Sequence, residues 1–168
     1  SRSGINMEQS IVFRNDEIDW DIVESVNYIL LSPGPGLPEE SIELINVIDK
    51  FHKSHNILGV CLGHQALAFY YGMNLSNMKE VKHGISSEIS ILNHDCLFKN
   101  LPVNFNIGHY HSWEVKNIKY PLLPLAHNKD GILMAFRHEN YKSFGIQFHP
   151  ESILTEYGKD ILKNWLSI

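Results

Sequence analysis

Residues 56–65 read N-I-L-G-V-C-L-G-H-Q, and this stretch decides the fold that the rest of the chain must build. A short apolar strand leads into Cys61 and a helix-forming sequence follows, so the cysteine lies on a tight turn between strand and helix. Glycines at 59 and 63 flank the turn, as in the cysteine form of the nucleophile elbow, because small neighbours let the backbone cross close by. The pattern predicts that Cys61 is a nucleophile and that the Leu62 N–H is an oxyanion donor.

The same turn predicts the chemical state of Cys61. The start of a helix favours a thiolate over a thiol, so we expect an activated sulfur at neutral pH. A structural alternative exists, since a cysteine after an apolar strand is more often a small core residue; the flanking glycines favour the nucleophile. Cys96 has no glycine frame and no histidine arranged for it by a motif, and we expect it to be structural.

A thiol nucleophile needs a base, and the segment Q-F-H-P-E at 147–151 contains the strongest candidate among the ten histidines. On an extended segment, side chains two residues apart project to the same side, so Glu151 is predicted to orient the His149 imidazole. Pro150 fixes its own φ and keeps His149 out of the helical region. A histidine at a strand end is usually only a polar rim residue, and the elbow is the feature that favours a catalytic His149.

Two further motifs bear on ligands. The loop S-P-G-P-G at 32–36 follows an apolar strand, and a glycine-rich loop at that position can present N–H groups to a ligand, although it can also be a rigid surface turn. A phosphate loop is excluded because the chain has neither a Walker lysine motif nor G-x-G-x-x-G. His109 and His111 are two residues apart, but no carboxylate or cysteine is placed to complete a metal site, so no metal is expected.

Periodicity predicts alternating strands and helices. Helices are predicted at 41–51, 63–71 and 157–166, with a short helical stretch between the first two strands; strands are predicted at 10–13, 26–31, 56–60, 132–136 and 144–148. The region 80–131 is interrupted by prolines and is predicted to be irregular, with shorter antiparallel strands.

Composition limits the class of protein. The chain has 168 residues, 43% of them hydrophobic, which predicts one domain over residues 1–168. A net charge of −5 with interspersed signs does not fit a nucleic-acid binder, so a small molecule or a protein is the expected partner. Two unpaired cysteines, strand-sized apolar runs and the lack of a signal-peptide pattern favour a cytoplasmic protein rather than a secreted or membrane-spanning one.

Four motifs together resemble the class I glutamine amidotransferases. They are S-P-G-P-G at 32–36, G-V-C-L-G-H-Q at 59–65, Y-H-S-W at 110–113 and Q-F-H-P-E-S at 147–152. Within that class the chain is most similar to the small subunits (component II) of anthranilate synthase and aminodeoxychorismate, or para-aminobenzoate, synthase. This finer resemblance is carried by R-N-D-E-I at 14–18, H-G at 83–84 and E-S-I-L-T-E-Y-G at 151–158.

The resemblance implies an α/β fold of the flavodoxin-like type, with an open, mainly parallel sheet of about seven strands flanked by helices. It implies a catalytic triad of Cys61, His149 and Glu151. It also implies that glutamine is bound by a set of loop, elbow and strand residues: Gly34, Pro35, Gly36, Leu62, Gln65, Ser112 and Trp113. The implied reaction releases ammonia from glutamine for a chorismate-binding large subunit, with no cofactor in this chain and Mg²⁺ only in that partner.

The chain departs from the family pattern in two places. Relatives often begin with a strand and a D-N-Y-D-S-F-T segment that is absent here, and we expect that roughly two dozen residues precede Ser1 in the native protein, because a parallel sheet without an interior strand exposes an unpaired edge. His109 stands where relatives often carry arginine, which is expected to alter contact with the partner.

Two alternatives to the synthase component remain. One is a stand-alone cysteine hydrolase of γ-glutamyl compounds, which could use the same elbow and histidine; Gln65 and the P-G-P-G loop favour the amidotransferase. The other is a catalytically silent regulatory module. The sequence does not distinguish the tryptophan pathway from the folate pathway.

Overall fold

A strand buried on both faces positions Cys61 in the structure, a computed structural model that describes residues 10–168. Every residue of β2 (Asn56–Val60) is buried, and its side chains alternate between two apolar clusters. Ile57 faces the cluster formed with helices α2 (Ile42–Phe51) and α3 (Leu62–Tyr70). Leu58 and Val60 face the cluster that includes α4 (Gly158–Trp165). Period-two alternation between two apolar layers is the expected result for a strand between helical layers.

The remaining elements follow in chain order. Helix α1 spans Trp20–Ser25, strand β1 Tyr28–Leu31, β3 Asn74–Ile91, β4 Asn104–Lys116, β5 Leu122–Asn128, β6 Leu133–His138 and β7 Ser143–Ile146, with short 3₁₀ turns at Pro38–Glu40 and Cys96–Phe98. Helix α1 is capped by Asp19, whose carboxylate accepts the N–H groups of Asp21 and Ile22. None of the described helices is long and apolar enough to cross a membrane.

Within residues 10–168 the strands form one seven-stranded sheet in the order β1-β2-β7-β6-β5-β3-β4. The predicted α/β architecture, an open sheet flanked by helices, is confirmed. The sheet is mixed, however, and not mainly parallel. Pairs β1–β2 and β2–β7 are parallel, whereas the four pairs among β7, β6, β5, β3 and β4 are antiparallel. Parallel neighbours need long crossovers: α2 lies in the connection from β1 to β2, and α3 together with β3 to β6 lies between β2 and β7.

Two sequence predictions about strands are wrong. The region 80–131 contains antiparallel strands, as predicted, but it is not irregular and its strands are not short: it contains most of the 18-residue β3 and the 13-residue β4, which pair along most of their length. Residues 10–13 do not form a strand; Ile11 and Val12 are exposed, and β1 is the outermost strand of the described sheet on that side. The residues predicted to precede Ser1 lie outside this sequence, and that prediction stays untested.

The two glycines beside Cys61 permit a close backbone crossing. A Cβ on Gly59 would overlap the Gly63 carbonyl group and lie 2.7 Å from the His64 nitrogen. A Cβ on Gly63 would overlap the Leu31 carbonyl oxygen and lie 2.7 Å from the Leu31 Cβ. Strand β2, helix α3 and the end of β1 therefore meet at a distance that only glycine allows, as the motif predicts.

Five histidines are buried and held neutral by the fold. They are His52, His64, His109, His111 and His138, and burial lowers the pKa of each. His64, on α3, is fully buried against the Phe136 ring, and burial lowers its pKa to about 3. Between about pH 3 and pH 6.5 an unfolded chain would bind a proton at this histidine, whereas the folded chain keeps His64 neutral.

We expect Gly63→Ala to destabilise the protein by about 3 kcal/mol, because the added methyl group has no space beside Leu31. Helix propensity alone would favour alanine by roughly 1 kcal/mol. A lower free energy of unfolding must therefore come from the close contact with Leu31. Urea unfolding measures it. Gly72→Ala is the matched control: its Cβ would meet open space but its φ is +86°, so it should lose only about 1 kcal/mol. Equal decreases in the free energy of unfolding of the two variants would contradict the close contact between Gly63 and Leu31.

We expect the free energy of unfolding to decrease as the pH falls below 6.5. The unfolded chain binds protons at its histidines in this range, whereas the folded chain binds one at His64 only near pH 3, so stability present above pH 6.5 is lost on acidification. Urea titrations between pH 4.5 and 7.5 measure the effect. His64→Leu should make the pH dependence shallower than that of the unaltered protein. An unchanged slope in His64→Leu would contradict the assignment.

Candidate active site at the Cys61 turn

The backbone of Cys61 is held in a conformation that few residues other than glycine adopt. Its φ is 53° and its ψ −100°, and such a strained residue is typical of a nucleophile elbow. The Cys61 N–H donates to the Ile146 carbonyl at 2.9 Å, and the Cys61 carbonyl accepts the Gln65 N–H at 3.0 Å. Strand β7 on one side and helix α3 on the other therefore maintain the turn predicted from the sequence.

The Cys61 thiol is not activated by its position at the start of a helix. Burial raises the pKa of Cys61 to about 11; hydrogen bonds from the Leu62 N–H and the Gln147 side chain lower it, and the Glu151 charge raises it further. The predicted preference for a thiolate at the helix start is therefore wrong. Removing water from around the sulfur raises its pKa by more than the two hydrogen bonds lower it.

His149 is arranged to accept a proton. Its Nδ1 lies 2.6 Å from the Glu151 Oε1, and because a carboxylate accepts, Nδ1 carries the hydrogen. Its Nε2 is buried and has no hydrogen-bond partner among the described residues, which leaves a lone pair for a reacting group. The His149 carbonyl accepts the Thr155 hydroxyl at 2.6 Å, and the Tyr110 ring packs edge-on against the imidazole with centroids 4.8 Å apart. The orientation of His149 by Glu151 that the spacing predicts is present in the structure.

The last helix supports the segment that carries His149. A Cβ on Gly158, the first residue of α4, would overlap the Pro150 carbonyl. Tyr157, just before it, adopts a left-handed conformation with φ 59°. The start of α4 is therefore pressed against the backbone between His149 and Glu151.

Cys61, His149 and Glu151 line one cavity of about 550 Å³. That volume lies within the range of small-molecule sites, about 300–1,000 Å³. The other lining residues are Pro33, Gly34, Pro35, His83, Tyr110, Ser152 and Ile153. The structure thus brings the elbow, the H-P-E segment and the P-G-P loop, predicted separately from the sequence, to a single cavity.

The residues expected to bind substrate divide into two groups. Gly34 and Pro35 line the cavity. The others are next to the lining in the chain or behind it: Gly36 has a φ of +87°, Leu62 is buried with its N–H directed at the Cys61 sulfur, Gln65 is buried, and Ser112 and Trp113 are half-buried on β4. Gln65 contacts protein groups, donating to the Trp113 carbonyl at 3.1 Å and to the Gln147 Oε1 at 3.2 Å.

Sequence reasoning missed four polar side chains that belong to this region. His83, Tyr110 and Ser152 line the cavity, and Gln147 lies 3.6 Å from the Cys61 sulfur through its Nε2. Tyr110 and His83 are partners in the β3–β4 register, and the Tyr110 hydroxyl lies 3.0 Å from the Ser152 Oγ. All four lie inside motifs quoted from the sequence, and strand pairing, which the sequence does not display, brings Tyr110 and His83 to the cavity.

His109 and His111 bond to each other rather than project outward. The His109 Nδ1 lies 2.9 Å from the His111 Nε2, and both side chains are buried. The expectation that His109 alters contact with a partner is therefore wrong, because none of its surface is exposed. Across residues 10–168, no group of three or more histidine, cysteine, aspartate or glutamate side chains is placed to hold a metal ion.

Comparison with known proteins gives a consistent result. The profile of the family described as glutamine amidotransferase class-I matches residues 2–168. The chain is 44% identical over 161 residues to anthranilate synthase component 2 of Pyropia yezoensis, covering 93% of this chain and 85% of that protein. It is 37% identical over 165 residues to aminodeoxychorismate/anthranilate synthase component 2 of Bacillus subtilis, covering 95% and 84%. A solved structure from Thermoplasma acidophilum, provisionally named as part of a GMP synthase, superposes with a TM-score of 0.81 at 27% identity, covering 91% of this chain and 77% of that one.

We expect the alkylation rate of Cys61 by iodoacetamide to rise about tenfold per pH unit from pH 7 to 10, because only the thiolate reacts and the thiol pKa is about 11. Intact-mass spectrometry of a Cys96→Ser variant measures it, since burial and Asp95 also raise the pKa of Cys96 to about 11 and its signal must be removed. A rate that reaches its plateau near pH 8 would contradict the raised pKa.

Proposed function

This chain belongs to the class-I glutamine amidotransferase family, and from that premise we propose that it is the glutaminase subunit of a chorismate-using synthase. The family activity is the hydrolysis of glutamine to glutamate and ammonia. The observation that carries the proposal is the single cavity lined by Cys61 and by His149, a histidine whose Nδ1 is bound by Glu151 and whose Nε2 is unpartnered among the described residues. In this proposal the ammonia passes to a partner that forms anthranilate or 4-amino-4-deoxychorismate.

The first half of the proposed reaction forms a thioester. His149 takes the thiol proton at Nε2 while the Cys61 sulfur attacks the side-chain amide carbon of glutamine. Because the thiol is protonated at neutral pH, proton transfer accompanies the attack. The N–H groups of Leu62 and Gly36 stabilise the tetrahedral oxyanion. His149 then returns its proton to the departing nitrogen, and ammonia leaves.

The second half regenerates the enzyme. Water enters, His149 removes one of its protons, and the resulting hydroxide attacks the thioester carbon. The carbon–sulfur bond breaks, Cys61 recovers a proton from His149, and glutamate leaves. Glutamine and water are consumed, and glutamate and ammonia are formed. Glu151 keeps the imidazole in the Nδ1–H tautomer and stabilises its cationic form between the two proton transfers.

The remaining substrate-binding roles belong to the proposal as well. Gly34, Pro35 and Gly36 hold glutamine beside the sulfur, and the backbone of Ser112 and Trp113 contacts its amino-acid end. Gln65 supports this segment through its hydrogen bond to the Trp113 carbonyl. The buried position of Gln65 supports a role in shaping the site.

The partner in this proposal is a chorismate-binding large subunit. Support comes from the names of the relatives, which describe a component 2 and so imply a second component. Amide hydrolysis by a thiol and a histidine uses protein groups for both nucleophile and proton transfer, so we propose that this chain needs no cofactor and that Mg²⁺ serves the partner. A cytoplasmic location is part of the same proposal, since chorismate chemistry would take place there.

We expect Cys61→Ser, in a complex reconstituted with the large subunit, to reduce glutamine-dependent product formation by roughly a thousandfold while leaving the ammonia-dependent rate unchanged, because only the nucleophile is weakened. His149→Ala should lose roughly 10²–10⁴-fold in the same assay. Both rates are followed by the fluorescence or absorbance of the aromatic product.

Cys96→Ser is the matched control and should retain both rates, because Cys96 lies outside the cavity. Glutamine-dependent rates in His149→Ala close to those of the unaltered protein would overturn the assignment. Efficient hydrolysis of γ-glutamyl peptides by the isolated chain would favour the stand-alone hydrolase. Identifying the product formed with the natural partner separates the two pathways.

A further inference from the structure

A series of buried hydrogen bonds behind the cavity ends at the Cys61 sulfur. At its outer end, the Ser87 hydroxyl bonds the His109 Nε2. The His109 Nδ1 lies 2.9 Å from the His111 Nε2, and the His111 Nδ1 lies 2.9 Å from the Trp113 carbonyl oxygen. Neither the predicted triad nor the predicted substrate contacts explain these side chains.

The Trp113 carbonyl fixes the hydrogens of both histidines. A carbonyl only accepts, so the His111 Nδ1 carries a hydrogen and, in the neutral ring, its Nε2 accepts. The His109 Nδ1 must then donate to that Nε2, which leaves the His109 Nε2 to accept the Ser87 hydroxyl hydrogen. Each step has one solution for neutral rings, and burial keeps both rings neutral.

The same carbonyl also fixes two side-chain amides on its other side. The Gln65 Nε2 donates to it at 3.1 Å, and the second hydrogen of that nitrogen is directed to Gln147 at 3.2 Å. The group facing that hydrogen must be the Gln147 oxygen, so the Gln147 nitrogen faces the other way. It lies 3.6 Å from the Cys61 sulfur. The orientation of each amide therefore follows from its neighbour and not from an assignment made on Gln147 alone.

Burial makes this orientation costly to reverse. Gln147 and His109 are 0% exposed, Gln65 is 4% and His111 is 5%. A flipped amide would place two donors or two acceptors against each other where water cannot separate them. The sulfur consequently faces an N–H donor, which favours the thiolate relative to a sulfur without that donor.

We propose that Gln147 is a further catalytic residue, the hydrogen-bond donor that stabilises the Cys61 thiolate as it forms, and that Gln65 and the His109–His111 pair are positioning residues that fix its amide through the Trp113 carbonyl. This inference rests on the proposed role of Cys61 as the nucleophile. It gives His109, the position that departs from the family pattern, a function inside the protein. The pair holds the Trp113 carbonyl from one side, and Gln65 holds it from the other.

The donor can be tested without glutamine by alkylating Cys61 with iodoacetamide in a Cys96→Ser background. Gln147→Met keeps an unbranched side chain of similar length but removes the donor. Alkylation at pH 8 should become roughly three- to tenfold slower, because the thiol pKa rises when a donor to the thiolate is lost. Every variant keeps the same titratable groups around the cavity, which are His83, Tyr110, His149 and Glu151. A change in the alkylation rate therefore reflects the loss of the Gln147 amide.

Gln65→Met should change the rate in the same direction but less, since it only releases the Gln147 amide. Asn128→Leu is the matched control: it removes a buried side-chain amide that caps a turn at the end of β5 and should leave Cys61 alkylation unchanged. In the reconstituted complex, Gln147→Met should lower kcat roughly tenfold with KM for glutamine within about twofold, because Gln147 contacts the sulfur and not the substrate.

Nitrogen-15 NMR of the unaltered protein, labelled at histidine, tests the orientation without any substitution. His109 and His111 should both carry their hydrogen at Nδ1 at pH 7. A hydrogen at the His111 Nε2, or an alkylation rate in folded Gln147→Met equal to that of the unaltered protein, would overturn the inference. If Cys61→Ser abolishes glutaminase activity while Gln147→Met leaves alkylation unchanged, the proposed function stands and this inference fails. If Cys61→Ser retains glutaminase activity, the proposed function itself fails.

Discussion

The site depends on the close approach of three backbone segments around Cys61. Gly59 lies against Gly63, and Gly63 lies against Leu31, so β2, α3 and β1 approach one another more closely than a side chain at either glycine would allow. This crossing forces Cys61 into its unusual φ of 53° and directs the next N–H at the sulfur. The rest of the sheet maintains the crossing, because the Cys61 N–H is bound to β7 and the P-G-P loop leaves directly from β1.

The pKa of the Cys61 thiol is set by two opposing effects, burial and hydrogen bonds donated to the sulfur. Burial raises the thiol pKa, whereas the Leu62 N–H and the Gln147 amide lower it. A protonated thiol is a weak nucleophile and is also slow to oxidise or alkylate. The protein thus holds a protonated sulfur in the same cavity as a histidine with an unpartnered Nε2 among the described residues. Under the proposed function, proton transfer to that histidine accompanies the attack of the sulfur, and no ion pair needs to form beforehand.

Local patterns in the sequence predicted the elbow, the helices and the pairing of His149 with Glu151, because each rests on residues close together in the chain. The length and the pairing of the antiparallel strands were not predictable in this way. Residues 80–131 contain prolines and scattered apolar residues, and their order comes from β3 pairing with β4 and β5, contacts that periodicity does not reveal. Tyr110 and His83 reach the cavity through that pairing. The raised pKa of Cys61 was also not predictable from the sequence, since it depends on how completely the fold removes water from the sulfur.

The contact between Gly158 and the Pro150 carbonyl has a consequence for how the protein matures during synthesis. Cys61 precedes His149 and α4 in the chain, so the sulfur is synthesised before the imidazole and the helix that supports it. A nascent chain that has been made only as far as α3 contains the sulfur but neither His149 nor β7, the strand that binds the Cys61 N–H. Under the proposed function, glutamine hydrolysis therefore requires that α4 has packed against the Pro150 carbonyl.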